Sequence, residues 1–259
     1  MKNQILEMEE TQADEMRDEN IVEIKNLHKS FGNFDVLKGV NLNVRSGENL
    51  VVLGKSGSGK SVLIKCVVGL LQPDEGDVIV FGKNISELSY KELNETRIRI
   101  GFLFQGAALY DSMTVGENLA FPLQYHFKKM SRDERQQAIE EALESVGLKE
   151  SINKMSSELS GGMRKRIGLA RTLILKPDIM LYDEPTTGLD TVTAKEISDL
   201  IVAMQRKNKI SSIIITHDMA CAKITADRIA MLKEGQMVAE GNYENLSASK
   251  DEWVKSFFI

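Results

Sequence analysis

The sequence predicts an α/β fold in which helices cover a mostly parallel sheet. Three short apolar runs, at residues 50–53, 179–182 and 213–215, are typical of buried strands. A helix is predicted over about 61–71, after the first run, and another over about 194–205, between the other two. Parallel strands need crossover connections, usually helices, so this alternation predicts a parallel sheet.

Two regions depart from this alternation. Between residues 21 and 53, short β-like runs alternate with turn residues, and Ser46-Gly47 marks one turn. From about 115 to 171 the sequence is mostly helical, and residues 132–146 place several apolar side chains on one helix face. We interpret the second region as a helical insertion in the α/β core.

Charge is concentrated at the N-terminus. Residues 1–20 hold seven acidic and two basic residues, which accounts for the whole formal net charge of −5. The neutral remainder argues against a nucleic-acid-binding surface. We predict that residues 1–20 form an acidic disordered tail, with a regulatory arm as the alternative. No apolar stretch has the length of a membrane-spanning helix, so any membrane role is expected to be peripheral, through a partner.

The chain has two cysteines, Cys66 and Cys221. Their positions show neither metal-ligand spacing nor a disulfide framework, and both have apolar neighbours. We expect two reduced thiols in the core.

A glycine-rich loop follows the strand predicted at 50–53 and precedes a predicted helix. Its residues are Gly54, Lys55, Ser56, Gly57, Ser58, Gly59, Lys60 and Ser61. This is the full phosphate-loop pattern, in which backbone N–H groups and a helix N-terminus cradle phosphate oxygens. We expect Lys60 to reach the β- and γ-phosphates of ATP and the Ser61 hydroxyl to bind Mg²⁺.

Two adjacent acids, Asp183 and Glu184, end the strand predicted at 179–182. Alone they are compatible with ordinary surface acids, but a phosphate loop in the same chain favours a catalytic pair. Asp183 is predicted to hold Mg²⁺, directly or through water, and Glu184 to act as the general base for the attacking water.

Further motifs in chain order resemble the ABC transporter ATPase family. Ser160, Gly161, Gly162 and Met163 resemble its signature, with Met where Gln is usual. Gln105 is similar to the Q-loop glutamine, Asp190 in the run 187–190 to the D-loop aspartate, and His217 to the switch histidine. Phe31, near Val36, is similar to the aromatic that stacks on adenine, where Tyr is usual. The resemblance covers residues 21–241.

This resemblance implies how the chain is divided and how it works. Residues 21–245 are expected to form one ATPase domain, with an N-terminal antiparallel β subdomain and a helical signature subdomain at about 107–171. In the family, the signature serves the ATP held by the other subunit, and Gln105 would bind Mg²⁺ and communicate with the membrane subunit. A head-to-tail homodimer that hydrolyses ATP and drives two permease copies is therefore expected on the cytoplasmic side of the inner membrane.

Within the family, Met163 and the run 101–115 resemble the Mla/Mce-type branch. That branch moves phospholipids or other hydrophobic molecules between bacterial membranes and adds an MCE-domain protein. Lipoprotein release, amino-acid transport and a cell-division ATPase that does not transport remain alternatives. Translation and DNA-repair ATPases are disfavoured, because a second cassette, a long coiled-coil insertion and a basic stripe are all missing.

Residues 246–259 form an apolar C-terminal tail that includes Trp253, Phe257 and Phe258. One hypothesis is that this tail docks on a partner ATPase; the alternative is a strap on the same chain.

Overall fold

The computed structural model describes residues 19–258. The acidic tail predicted at 1–20 therefore lies outside the described residues, except that Asn20 already begins the first strand. Ile259 also lies outside them.

Ten strands form two sheets in the described part of the chain. Their bounds are β1 (Asn20–Phe31), β2 (Phe34–Arg45), β3 (Asn49–Leu53), β4 (Glu75–Val80), β5 (Lys83–Asn84), β6 (Ile100–Leu103), β7 (Ile179–Asp183), β8 (Ser211–Thr216), β9 (Arg228–Lys233) and β10 (Gln236–Gly241).

Nine α-helices connect or flank these strands between residues 19 and 258. Their bounds are α1 (Lys60–Val67), α2 (Tyr90–Ile98), α3 (Val115–His126), α4 (Arg132–Ser145), α5 (Gly161–Leu173), α6 (Thr191–Asn208), α7 (Met219–Thr225), α8 (Tyr243–Ser247) and α9 (Glu252–Lys255).

The larger sheet has the strand order β10-β9-β3-β8-β7-β6, in which only the β10–β9 pair is antiparallel. The smaller sheet, β2-β1-β4-β5, is antiparallel throughout. The predicted fold class is confirmed: a mostly parallel core sheet, with an antiparallel sheet built largely from the N-terminal strands.

Burial explains why the three apolar runs were recognisable as strands. Every residue of β3, β7 and β8 is buried, because helices or the second sheet cover both faces of these central strands. One hydrophobic cluster joins this sheet to α1 and the antiparallel sheet, and another fills the opposite face against α6, α7 and the C-terminus.

The helical middle has a hydrophobic cluster of its own, formed by α3, α4 and α5 with their connecting loops. Thr114 and Ser131 begin α3 and α4 with capping boxes that pair them with Glu117 and Glu134. On α4, Ile139 and Leu143 are buried, which accounts for the apolar periodicity of this stretch.

Two helices differ in length from their predictions because local caps decide where they end. The helix predicted over 61–71 ends at Val67, since Gly69 adopts a φ of 68° and the Leu70 amide turns back to the Lys65 carbonyl at 2.8 Å. The helix predicted over 194–205 is longer, because Asp190 caps it by accepting from the amides of Val192 and Thr193 at 3.0 Å each.

The described part of the C-terminal tail packs on its own chain. The Trp253 and Phe257 ring centroids are 4.9 Å apart, and those of Phe258 and Tyr243 are 5.2 Å apart. Val254 is fully buried in the cluster that covers the sheet. These contacts are the ones expected of a strap on the same chain. Docking of the tail on a partner subunit stays a prediction.

Across residues 19–258, none of the helices combines the length and the apolar character that crossing a bilayer requires.

The two thiols provide a test of the packing. Cys66 and Cys221 are buried, and burial raises the pKa of each thiol to about 11. At pH 8 roughly one thousandth of each thiol is then ionised, since each pH unit changes the ratio tenfold. We expect the native protein to react slowly with Ellman's reagent at pH 8 and to release two thiols promptly once denatured. Rapid stoichiometric labelling of either native thiol would contradict this packing.

Candidate nucleotide site

The site lies at the carboxyl edge of the parallel sheet. Strands β3, β7 and β8 are neighbours and parallel, and they end at Leu53, Asp183 and Thr216. The loops that follow them therefore leave the sheet side by side. Ligands of open α/β sheets bind outside this edge.

The phosphate loop is held tightly against its surroundings, which explains two of its glycines. A Cβ atom on Gly54 would lie 2.4 Å from the Leu232 carbonyl oxygen. Gly59 has a φ of 106°, and a Cβ there would lie 3.0 Å from the Val36 carbonyl oxygen. Larger residues would displace the loop from β9 or from β2.

Lys60 is buried at the centre of this loop. Its Nζ donates to the carbonyl oxygens of Gly54 and Lys55 at 2.7 and 3.1 Å and lies 3.6 Å from Glu184 Oε1. Burial lowers the pKa of Lys60, and the nearby Glu184 carboxylate opposes that effect. The backbone carbonyls of the loop thus hold the Lys60 ammonium group in place.

Ser61 and Asp183 lie together, as a shared metal site requires. The Ser61 hydroxyl donates to Asp183 Oδ1 at 3.1 Å. Burial raises the pKa of Asp183, and the Ser61 hydrogen bond partly offsets this. A buried carboxylate with this single hydroxyl partner is a position that a bound cation would stabilise.

Glu184 is fixed by its neighbours in an uncommon backbone conformation, with a φ of 50°. Its Oε2 lies 2.8 Å from His217 Nδ1 and accepts from Thr187 Oγ1 at 3.1 Å. The side chain of Glu184 therefore lies between Lys60 and His217, two groups at the ends of different loops.

These residues surround a cavity of about 660 Å³. Its lining includes ten of the predicted site residues: Val36, Lys55, Ser56, Gly57, Gly59, Lys60, Ser61, Gln105, Glu184 and His217. Three more lining residues were missed by the sequence reasoning: Phe34, Val62 and Phe257. Gly54, Ser58 and Asp183 lie directly behind this lining, within the loop or beside Ser61.

Phe31 is not among the lining residues. It is half exposed at the tip of the β1–β2 hairpin and pairs across it with Phe34, which does line the cavity. The Lys29 ammonium lies 5.6 Å from the centroid of the Phe31 ring. The adenine contact of Phe31 stays a prediction, and Phe34 is the aromatic residue that this hairpin presents to the cavity.

The signature residues lie apart from this cavity but next to the D-loop. Ser160 caps α5 by accepting from the Met163 amide at 3.2 Å. A Cβ on Gly162 would lie 2.5 Å from Thr193 Cγ2, close to Asp190, which caps α6. The exposed residues Ser160, Gly161 and Asp190 therefore form one surface.

Lys165 is a buried residue of the site that the sequence did not reveal. Its Nζ donates to the backbone carbonyls of Gln105 and Glu184, so it links the loop after β6 to the loop after β7. Burial lowers the pKa of Lys165. In the sequence it is one of three consecutive basic residues, and nothing in that pattern distinguishes it from the exposed Arg164.

The residues present fit ATP with Mg²⁺. The Ser58 hydroxyl is buried in the phosphate loop and finds no hydrogen-bond partner among residues 19–258, which suits a donor to a phosphate oxygen. Among residues 19–258, no three His, Cys, Asp or Glu side chains gather as a metal site. Ser61, Asp183 and Gln105 would supply only part of a coordination shell, as is usual for Mg²⁺, which takes its remaining ligands from phosphates and water.

Comparisons with known proteins agree with this geometry. The family model described as "ABC transporter" matches residues 37–187. The chain is 42% identical to a probable ribonucleotide transport ATP-binding protein, mkl, of Mycobacterium leprae, over 91% of this chain and 68% of that protein. It is 37% identical to the methionine import ATP-binding protein MetN of Rhizobium johnstonii, over 93% of this chain and 66% of that protein.

A third relative matches over nearly the full length of both proteins. This is the intermembrane phospholipid transport system ATP-binding protein MlaF of Haemophilus influenzae, 36% identical over 92% of this chain and 90% of that protein. Among solved structures, a dimeric ATP-binding cassette in a post-hydrolysis state, bound to ADP and Pi, superposes with a TM-score of 0.79. It is 34% identical and covers 85% of this chain and 98% of that one. The chain belongs to the ABC transporter family, as an ATP-binding subunit that hydrolyses ATP with Mg²⁺.

Proposed function

We propose that this subunit drives a membrane permease that moves phospholipid or another hydrophobic molecule between bacterial membranes. The observation that carries the proposal is the match to the phospholipid-transport relative along nearly all of both chains. Met163 in the signature and the run 101–115 support the same branch. The names of other relatives refer to ribonucleotide transport and methionine import, so amino-acid transport is the second candidate.

The arrangement of Lys60 and Glu184 suggests how ATP binding starts the reaction. In the structure their side chains are 3.6 Å apart, so each partly neutralises the other. Phosphate oxygens of ATP compete for the Lys60 ammonium and leave Glu184 free to accept a proton from water. Ser61, Asp183 and Gln105 would hold Mg²⁺, which would supply positive charge to offset that of the phosphates.

His217 holds the proposed base in position. It lies 2.8 Å from Glu184 Oε2, the oxygen that Thr187 also contacts, whereas Glu184 Oε1 faces Lys60. Oε2 therefore orients the carboxylate through its hydrogen bonds, and Oε1 is available to the attacking water.

The separation of the signature from its own cavity supports a head-to-tail homodimer. The ATPase subunits of this family dimerise and pair with membrane permeases. A two-fold axis would place Ser160, Gly161, Gly162 and Met163 of each subunit over the ATP of the other, with Asp190 at the seam. Both composite sites then close together.

An exposed aromatic groove supports permease docking near Gln105. Phe104, Tyr110 and Phe121 are 36%, 45% and 41% exposed, and they line a cavity of about 460 Å³. Phe104 is adjacent to Gln105, which lines the nucleotide cavity. A permease segment bound to these rings would contact Phe104, which is joined by one peptide bond to Gln105 in the nucleotide cavity. Nucleotide binding could therefore affect the docking surface through this pair.

The proposed assembly contains two copies of this chain, two copies of the permease and an MCE-domain lipid-binding protein. The ATPase would lie at the cytoplasmic side of the inner membrane, held there by the permease. Lipoprotein release and a cell-division function use the same ATPase chemistry with different membrane partners, so the partner distinguishes these alternatives.

Replacing the proposed base separates binding from turnover. We expect Glu184→Gln to bind ATP as the wild type does, to lose at least about 100-fold in turnover and to accumulate as a closed dimer. Lys60→Ala, in contrast, is expected to weaken ATP binding itself. Equilibrium dialysis, phosphate release and light scattering measure these quantities, and near-normal hydrolysis by Glu184→Gln would remove Glu184 as the base.

Lys165 is expected to position the two loops through its hydrogen bonds. Lys165→Met removes the ammonium donor from the Gln105 and Glu184 carbonyls, although the Glu184 carbonyl keeps the Thr187 amide at 3.3 Å. Each lost hydrogen bond costs about 0.5–1.5 kcal/mol. We expect kcat to fall by more than KM rises, together with a lower Tm. Lys165→Gln keeps a donor, so it should retain more of kcat than Lys165→Met. Equal kcat values for the two variants would contradict a positioning role.

A pull-down in mild detergent from native membranes tests the transport proposal. The tagged protein should recover a small permease, an MCE-domain protein and bound phospholipid, all identified by mass spectrometry. A different permease without phospholipid would overturn the substrate class but keep the transporter. Ribosomal or DNA-repair proteins without a membrane partner would overturn both.

A further inference from the structure

One residue of the nucleotide cavity comes from the far end of the chain. The other twelve lining residues lie between Phe34 and His217, whereas the thirteenth is Phe257. Its ring is half-buried, so one part packs on the protein and another faces the cavity. No motif of the sequence assigns a role in nucleotide binding to this position.

The position of Phe257 is fixed by the segment around it, residues 251–258, which we call the C-terminal segment. Asp251 caps α9 by accepting from the amides of Trp253 and Val254 at 2.8 and 3.0 Å. The Phe257 amide donates to the Val254 carbonyl at 3.2 Å, which continues the turn. Val254 is only 2% exposed, so the segment has a buried anchor.

One aromatic contact supports the Phe257 ring beside the cavity. The Trp253 ring packs edge-on against it, with centroids 4.9 Å apart, and Trp253 is in turn contacted by the Lys233 ammonium at 5.2 Å. Lys233 ends β9, whose Met231 pairs with Leu53, the residue just before the phosphate loop. The segment is thus attached to the strand beside that loop.

The chemistry of the cavity wall indicates which part of a nucleotide Phe257 would meet. Lys60, Ser61 and the glycines supply the donors that phosphates need. The apolar members of the lining have no side-chain hydrogen-bond donor for a phosphate; they are Phe34, Val36, Val62 and Phe257. A phenyl ring instead matches the π-face of a base, and such stacking tolerates any base.

We propose that Phe257 contacts the base of bound ATP, so that the C-terminal segment is part of the nucleotide site. This proposal rests on ATP binding at the phosphate loop. By thermodynamic reciprocity, a nucleotide that gains affinity from the ordered segment also stabilises that segment. Lys250 precedes α9 and Lys255 ends it, and both are exposed, so they report on the order of this helix as tryptic sites.

The experiment compares a nucleotide with a ligand that lacks a base. Calorimetry measures binding of the non-hydrolysable analogue AMP-PNP and of inorganic tripolyphosphate to the full chain, at concentrations where light scattering shows a monomer. We expect Phe257→Ala to weaken AMP-PNP binding about tenfold and to leave tripolyphosphate binding unchanged. Phe257→Tyr keeps the ring and should keep the affinity. Lys255→Ala, on an exposed side chain of the same segment, is the matched control.

A second readout does not depend on any variant. In the wild type, AMP-PNP should slow tryptic cleavage after Lys250 and Lys255 more than tripolyphosphate does at equal saturation. Equal protection by both ligands would overturn the proposal.

The binding data can overturn it in three further ways. Unchanged AMP-PNP binding by Phe257→Ala would show that the ring contributes nothing to affinity, and tighter binding would show that it obstructs the cavity. Equal losses for both ligands would indicate general damage to the loop. A loss seen only at concentrations where the chain dimerises would assign the ring to the partner's site. A wild-type chain that bound neither ligand would instead contradict the ATPase function.

Discussion

The site depends on a buried cation held beside two carboxylates at one edge of a sheet. Lys60 is bound by two carbonyl oxygens and faces Glu184, while Asp183 has Ser61 as its hydroxyl partner. Burying such groups is unfavourable unless each finds a partner, and in this structure their pairing is partial. A triphosphate with a divalent cation complements both signs at once. The proposed nucleotide site therefore offers a buried ammonium and a buried carboxylate, which a triphosphate and its divalent cation would pair.

The sheet that positions these groups is buried at its centre, and that burial is visible in the sequence. Because β3, β7 and β8 are buried on both faces, each is an apolar run without alternation, and each ends in a polar loop. The parallel arrangement then brings the three loops together although they are far apart in the chain. The fold class, the phosphate loop and the Asp183–Glu184 pair could be predicted because each depends on local residue order and on this single topological rule.

What could not be predicted depends on which side chains meet across long separations. Lys165 and Arg164 are neighbours of similar chemistry, yet only Lys165 is buried against two carbonyls. Phe31 and Phe34 flank one turn, and the register of the hairpin decides which of them reaches the cavity. Phe257 is brought there by packing of the C-terminal segment on β9. Motif spacing carries no information on any of these three outcomes.

The position of the signature residues bears on the proposed pairing of two subunits. Ser160 and Gly161 are exposed on a surface shared with Asp190, away from the cavity that contains the chain's own phosphate loop. Gly162 is packed so closely on Thr193 that a Cβ on Gly162 would lie 2.5 Å from Thr193 Cγ2, so the two helix starts form one unit. In the proposed dimer, a second copy would present this unit to the cavity. The packing that orders the signature within one chain thus makes it available to another, which is the structural reason that this ATPase is expected to work as a pair.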